Sequence, residues 1–565
     1  MKSIKRYIAI GMAVCALASC QDFLKEENKS NIASEDYFRT VEGYESLVTG
    51  SYATLRSVWG DSPWLFCLGV DIYTRGNSEL RDNSYQNRDI YSSDLNEYTT
   101  LGSDNGFVSD FYADCYDAIQ TCNTAIARAE DVDGLTEKLK QKRLAEVRFI
   151  RAYYYYLLVE QFGDIPLVVD EINSAITHFD RVSEQDIYRF VISELTGISA
   201  TLPMAVEEFG RVTSGAAKNL LSLIYLTRAY KSYAASDDFS QAATLADEVI
   251  HSDSYGLLDT FEEVFTPGNE NSKEIIFSVQ YDASSLGSAY GGNTQSVIMG
   301  WDLVLYENGF DAGSTIYNKH NSQFMPSQYL YSLFDTDLDT RYDGTFKSEF
   351  YAVIDSETQG IKAGDLKVYF PKWDKPMTDA EKTTFLTKHP VCNIVEYDMW
   401  KQDFNNIGGA NRFPMVWKFF DPEALKQGSL DNGTGTRDIF LFRLAETYLI
   451  AAEAYLQQGE TAIAAKRINK VRERAAIEGK KTDMKIAPSD VTIDFILDER
   501  ARELVGEYKR WMDLKRTGKL IERTLANNNL AKAANGIKEI HLLRPIPQSV
   551  IDRDTGEFPQ NTGYN

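Results

Sequence analysis

Between residues 135 and 162, apolar side chains return every three or four positions: Leu144, Val147, Ile150, Tyr154 and Leu158, with Arg151 beside them. That spacing commits the segment to one long amphipathic helix. Gly163-Asp164-Ile165-Pro166 predicts its abrupt end, because glycine suits the residue after a helix and proline bars continuation. Similar periodicity predicts helices over residues 36–55, 107–129, 214–234, 239–251, 439–458 and 461–476, and Ser183 is placed to cap another. The last four of those runs form two helix pairs. In Ala451-x3-Tyr455-x3-Gly459-x2-Ala462-x2-Ala465, small residues let antiparallel helices approach, and Leu221-x3-Tyr225-x3-Ala229 with Ala242-x3-Ala246 repeats the pattern. The pattern is tetratricopeptide-like, but the pairs lie far apart and no steady 34-residue period joins them. The expected fold is mostly α, a scaffold of helix pairs.

Residues 60–106 and 282–436 break this rhythm. They are rich in Gly, Ser, Asn, Tyr and Trp, most plainly at 282–320 and 343–436, and show no helical period. Long insertions of this kind in a compact protein carry function more often than packing. The chain holds 33 Tyr, 29 Phe and 7 Trp, and such rings give rigid amphipathic contact area. A net charge of −24 argues against a nucleic-acid partner, which needs a basic face for phosphates. No phosphate-binding glycine loop, nucleophile elbow or H-E-x-x-H motif is present, and the five histidines do not stand at ligand or catalytic spacing. Asp335, Asp337 and Asp339 lack the glycine and closing glutamate of a calcium loop. The expectation is a binding protein, not an enzyme, with no cofactor and no metal.

The start of the chain reads as export machinery. Lys2, Lys5 and Arg6 precede a short apolar run, then Leu17-Ala18-Ser19-Cys20. The run is too short to span a bilayer, and a cysteine after L-A-S is a bacterial lipobox. Residues 1–19 are expected to be removed, Cys20 to be acylated, and 21–35 to link the anchor to one domain that completes residues 20–565. Asp22, Glu26 and Glu27 resemble an acidic tag for surface export. Cys67, Cys115, Cys122 and Cys392 show no zinc spacing and read as buried apolar side chains; Cys115 and Cys122, seven apart on one helix, are too distant to bridge.

Asp498 to Gly518 is the densest charged segment. Glu499, Glu503 and Glu507 with Arg502 and Arg510 recur at helical spacing beside Leu504 and Trp511. An ion network locking helices together is the preferred reading, and a carboxylate-lined site the alternative.

Taken in order, these motifs resemble the SusD/RagB family of surface lipoproteins. The likeness rests on the lipobox, Arg148-Phe149-Ile150-Arg151-Ala152-Tyr153, Phe162 to Leu167, Gly210-Arg211-Val212-Thr213, Arg443 to Ala454, Ile468-Asn469-Lys470-Val471-Arg472, the Glu499–Gly518 block, Pro545-Ile546-Pro547 and Gln560 to Tyr564. The family's last motif usually has proline where Thr562 stands. The resemblance implies a helical scaffold with glycan-binding loops, held by a lipid at the outer membrane on the cell surface, and a partner in a SusC-like TonB-dependent barrel that it covers as a lid. It also implies that ligand residues sit on the variable loops. From the first loop region, Asp71 and Arg75 suit vicinal hydroxyls, and Tyr73, Tyr91 and Tyr98 offer rings. From the second come Tyr290, Trp301, Tyr306 and Tyr317; Trp301, after Gly300 in a polar stretch, reads either as a ring stacking on ligand or as packing against the scaffold. Two other readings stay open: a peptide cargo with the same transporter, as in the RagB branch, and a surface glycoside hydrolase.

Overall fold

The computed structural model describes residues 34–61, 63–76, 86–204, 208–285, 291–301, 303–311, 316–317, 323–400, 412–423 and 435–564. Cys20 and Tyr290 lie outside the described residues, as does the side chain of Tyr306.

Eight helices form a consecutive array, each packed on the next: α1 (Val41–Ala53), α2 (Gly106–Arg128), α3 (Glu137–Phe162), α4 (Glu184–Ser199), α5 (Ser214–Arg228), α6 (Asp238–Ile250), α7 (Leu444–Gln457) and α8 (Thr461–Ala475). Side-chain oxygens set most of their starts. Thr136, Ser183 and Thr213 accept from the backbone N–H groups of Leu139, Asp186 and Ala216. At the end of α3, Gly163 takes φ 72°, and a Cβ there would sit 3.0 Å from the Leu543 side chain. The two small-residue pairs meet although residues 251–443 separate them in sequence. Ala242, Ala246, Ala451 and Ala454 are all buried, and the close approach of α6 and α7 lets Tyr455 Oη donate to Asp247 at 2.7 Å.

Three helix boundaries differ from expectation. The run 214–234 stops as a helix at Arg228. The run 36–55 splits at Thr40, whose Oγ1 caps α1 through Gly43 N–H (3.0 Å). Gly43 lies so near the preceding turn that a Cβ would fall 2.0 Å from Tyr37 O. The run 439–458 begins as a strand, Ile439–Arg443, antiparallel to Ile275–Val279. All five residues of each strand are buried. Continuous apolar runs do not distinguish such a strand from a buried helix.

The strands are short: β1 (Tyr73–Arg75), β2 (Ile275–Val279), β3 (Phe324–Pro326), β4 (Phe346–Lys347), β5 (Glu349–Tyr351), β6 (Leu366–Tyr369), β7 (Asn393–Ile394), β8 (Met415–Val416) and β9 (Ile439–Arg443). All but β2 and β9 lie in the two loop-rich regions, which also contain helices Gln86–Glu97 and Asp379–Lys388 where no helical period is expected. β1 pairs with β3, so the two regions singled out in the sequence adjoin; Ser327 Oγ also donates to Asp71 O at 2.7 Å. β4 pairs with β8, and β5, β6 and β7 form a three-stranded sheet. Cys67, Cys115, Cys122 and Cys392 are free and buried. Among the described residues no helix is long and apolar enough to cross a membrane.

His541 lies near the C-terminal end of the core, its ring 5.1 Å from Tyr98 and its Nδ1 accepting from Lys538 N–H at 2.9 Å. Burial, with Arg544 and Lys538 nearby, lowers its pKa to about 4. The unfolded chain therefore binds a proton between pH 6.5 and 4 that the folded chain refuses, so stability rises with pH across that window. His541→Gln, which does not titrate, should flatten that limb of a melting-temperature profile. An unchanged slope would show that His541 does not set it.

Candidate aromatic binding face and the buried charges beneath it

The C-terminal charged segment is a closed ion network. On α9 (Ile493–Glu503), Glu499 accepts from Arg341 (2.8 Å), Arg472 (2.8 Å) and Arg502 (2.7 Å). Glu503 accepts from Arg443 (2.6 Å) and Arg341 (2.9 Å), and also from Arg474. Glu507 takes Arg443 (2.7 Å) and Lys418 (2.8 Å), while Asp339 completes Arg341 at 2.7 Å. These carboxylates are buried with their partners, and the arginines hold Glu499 well below the usual carboxylate range and Glu503 at about 2, against the opposing effect of burial. None of Glu499, Glu503 and Glu507 is open to a ligand. Asp337 instead pairs with Lys375 at the surface.

Asp71 belongs to a second such network, which corrects its expected role. It is fully buried, and Arg510 donates to both its oxygens (2.7 and 2.6 Å) while Arg523 adds a third bond at 3.0 Å. Asp71→Asn should lower stability by about 2–3 kcal/mol, since charged hydrogen bonds are lost while Arg523 keeps Asp494 and Asp498. Urea unfolding measures this; an unchanged midpoint with weakened ligand binding would restore Asp71 to the site.

Burial also reassigns Tyr73 and Tyr98, and favours packing over ligand stacking for Trp301. Tyr73 Oη accepts from Gly506 N–H at 2.5 Å. Tyr98, at φ 60°, donates to Gly69 O (2.9 Å) and accepts from Trp511 Nε1–H (3.2 Å). Trp301 is 1% exposed and donates Nε1–H to Phe413 O at 2.9 Å, its ring against Phe350 and Phe370. A tryptophan ring this buried, packed against Phe350 and Phe370, has no face left for a sugar. Arg75 and Tyr91 keep some exposed surface, but Arg75 pairs with Glu97 (2.7 Å) and Tyr91 packs edge-on to Phe107.

Tyr317 leads to a different arrangement. Its ring is buried, Tyr351 N–H donates to its Oη at 2.8 Å, and it stands 5.7 Å from Phe350 and 6.0 Å from Trp417. Trp417, only partly buried, stacks on Phe420 with centroids 4.6 Å apart and planes 13° from parallel. Tyr351 is 40% exposed. Lys347 of β4 crosses this floor, its Nζ 5.1 Å from the Trp417 centroid, 5.8 Å from Tyr317 and 5.9 Å from Phe350. The β4–β8 pairing aligns the group, because Trp417 N–H donates to Thr345 O at 2.7 Å. Trp301 lies one layer below, supporting Phe350. Such a face can stack a sugar's C–H surface and offers one amine and one phenol at its rim. The signal that would have found it is the density of rings in Trp417-Lys418-Phe419-Phe420 and Phe350-Tyr351, neither of which stands out by period.

Two open clefts lie elsewhere, about 330 Å³ beside Arg39, Arg128 and Glu171, and about 280 Å³ beside Phe209, Arg211 and Lys273. Neither contains a sequence-predicted site residue.

A family model described as the SusD family matches residues 268–564, more than half of the chain. The chain belongs to the SusD family. A second model, described as "Starch-binding associating with outer membrane", matches residues 22–226 of this SusD family member. The chain is similar to SusD-like protein P2 of Formosa agariphila, 27% identical over 99% of this chain and 100% of that one. It is also similar to the starch-binding protein SusD of Bacteroides thetaiotaomicron, 25% identical over 77% of this chain and 75% of that one. Among solved structures, surface glycan-binding protein A of Bacteroides thetaiotaomicron in complex with laminarihexaose has a TM-score of 0.68 at 20% identity, covering 92% of this chain and 99% of that one. At that identity the likeness establishes the shared fold.

Proposed function

We propose that this SusD family protein is a cell-surface glycan-binding lipoprotein, anchored through acylated Cys20, that captures oligosaccharide and passes it to a SusC-like TonB-dependent barrel. The observation that carries the reading is the stacked pair Trp417 and Phe420, both partly open to solvent, over a floor of buried Tyr317 and Phe350 in the loop-rich half. The names of its relatives agree: one is a starch-binding protein, and a structural neighbour holds laminarihexaose. Tyr290 and Tyr306, from the same loop region, remain proposed contacts, as do Arg75 and Tyr91 at the edge of the other.

The test is affinity electrophoresis of the lipid-free chain, from residue 21, through gels containing neutral and acidic polysaccharides. Retardation by one glycan class is the expected result. No retardation by any of them, with retention of peptides instead, would replace the cargo. As a binding protein it should release no reducing ends from a glycan it retains; release at high protein concentration would make it an enzyme. Copurification of a TonB-dependent barrel with the tagged, acylated protein tests the partnership, and recovery without one would contradict it.

A further inference from the structure

Among the described residues, buried lysines and several partly buried ones meet carboxylates. Lys418 pairs with Glu507 (2.8 Å), Lys231 with Glu160 (2.7 Å), Lys367 with Glu307 (3.2 Å) and Lys509 with Glu446 (3.3 Å). Lys347 breaks that rule. It is partly buried over three aromatic rings, and among the described residues no carboxylate lies within ion-pair distance of its ammonium. The acidic group acting on it most is Glu349, an exposed side chain whose carboxylate accepts from Tyr351 Oη at 2.5 Å. Ring faces attract a cation, but they replace lost water incompletely. Burial accordingly pulls the pKa of Lys347 down. An amine held this way, in a chain of net charge −24, is a place where an incoming anion gains more than it would at a paired lysine.

From this geometry we infer that Lys347 makes the aromatic face selective for an acidic sugar, its ammonium receiving the carboxylate or sulfate of a residue stacked on Trp417. The inference rests on the glycan-binding reading and names its substrate class. A sugar acid carries its charge at the edge of a ring whose C–H face is apolar. Stacking that face on Trp417 brings the charged edge toward an amine 5.1 Å from the same ring's centroid. The protein's overall negative charge repels polyanions, so their binding requires a local cation and does not arise from a diffuse field.

The test compares the lipid-free chain with Lys347→Gln and Lys347→Arg by isothermal titration at one fixed ionic strength. The probes are oligogalacturonate for carboxylate, chondroitin sulfate oligosaccharide for sulfate, and laminarihexaose as the neutral control. The wild type should bind one of the two acidic probes more tightly than the neutral one. Lys347→Gln should weaken that binding about tenfold or more, and Lys347→Arg should restore most of it. Equal melting temperatures for the three proteins establish that charge, not folding, is being read. Binding of laminarihexaose alone, unchanged in Lys347→Gln, overturns the selectivity and leaves the glycan reading standing. Binding of no glycan overturns both.

Discussion

Glu503→Ala is expected to lower folding stability by about 3–5 kcal/mol, the range for removing one member of a buried ion pair. Its carboxylate is completely buried and receives Arg341, Arg443 and Arg474. Alanine would leave three guanidinium groups sharing the remaining acids Glu274, Asp339, Glu499 and Glu507, which already have partners. Stranded charge in a low-dielectric interior costs far more than the loss of one contact. The same carboxyl, held at about 2, contributes stability that is fully present above the unfolded value near 4.3 and is lost as pH falls toward 2. Urea unfolding at pH 7 and pH 3 reads both effects. The deficit of Glu503→Ala should shrink at pH 3, where the wild type begins to lose the same interaction. A midpoint within experimental error of wild type at pH 7 would show that the network tolerates an unbalanced charge.

Trp301→Ala is expected to cost a similar amount, about 3–5 kcal/mol, by a different mechanism. The ring fills space against Phe350 and Phe370, and its indole N–H satisfies Phe413 O. Removing it opens a cavity, orphans that carbonyl and undermines Phe350, which floors the Tyr317–Trp417 face. Thermal melting should show the loss without any ligand present. An unchanged melting temperature, accompanied by loss of glycan binding alone, would favour stacking on ligand as the role of Trp301.

These two residues also mark how far the sequence can be read. The helices were legible because their stripes and caps are local: Thr136, Ser183 and Gly163 act within a few residues of themselves. The ion network was legible in outline, since Glu499, Glu503 and Glu507 share helical spacing, but its partners Arg341 and Arg443 come from other segments. Trp301 illustrates the limit. A tryptophan in a Gly- and Ser-rich stretch looks exposed, and only the tertiary fold supplies Phe413 O to bury its N–H. Asp71 likewise pairs with Arg510 and Arg523, more than four hundred residues onward. The aromatic face was barely legible. Tyr317, expected as a ligand contact, is buried in its floor, whereas Trp417, Phe420 and Lys347 enter through the β4–β8 pairing, which no local pattern announces. The strand Ile439–Arg443 was hidden for a related reason, because its apolar run Ile439–Phe442 leads into the following helix with no glycine or proline between them.

The measurement that bears most directly on the binding face is isothermal titration of Trp417→Ala with whichever glycan retards the wild-type protein, paired with its melting temperature. Truncating a central aromatic anchor should weaken binding by about 1–3 kcal/mol. Because Trp417 is only partly buried and rests on Phe420, the melting temperature should fall far less than it does in Trp301→Ala. Undiminished affinity in a folded Trp417→Ala protein would contradict the account and move the glycan to another surface.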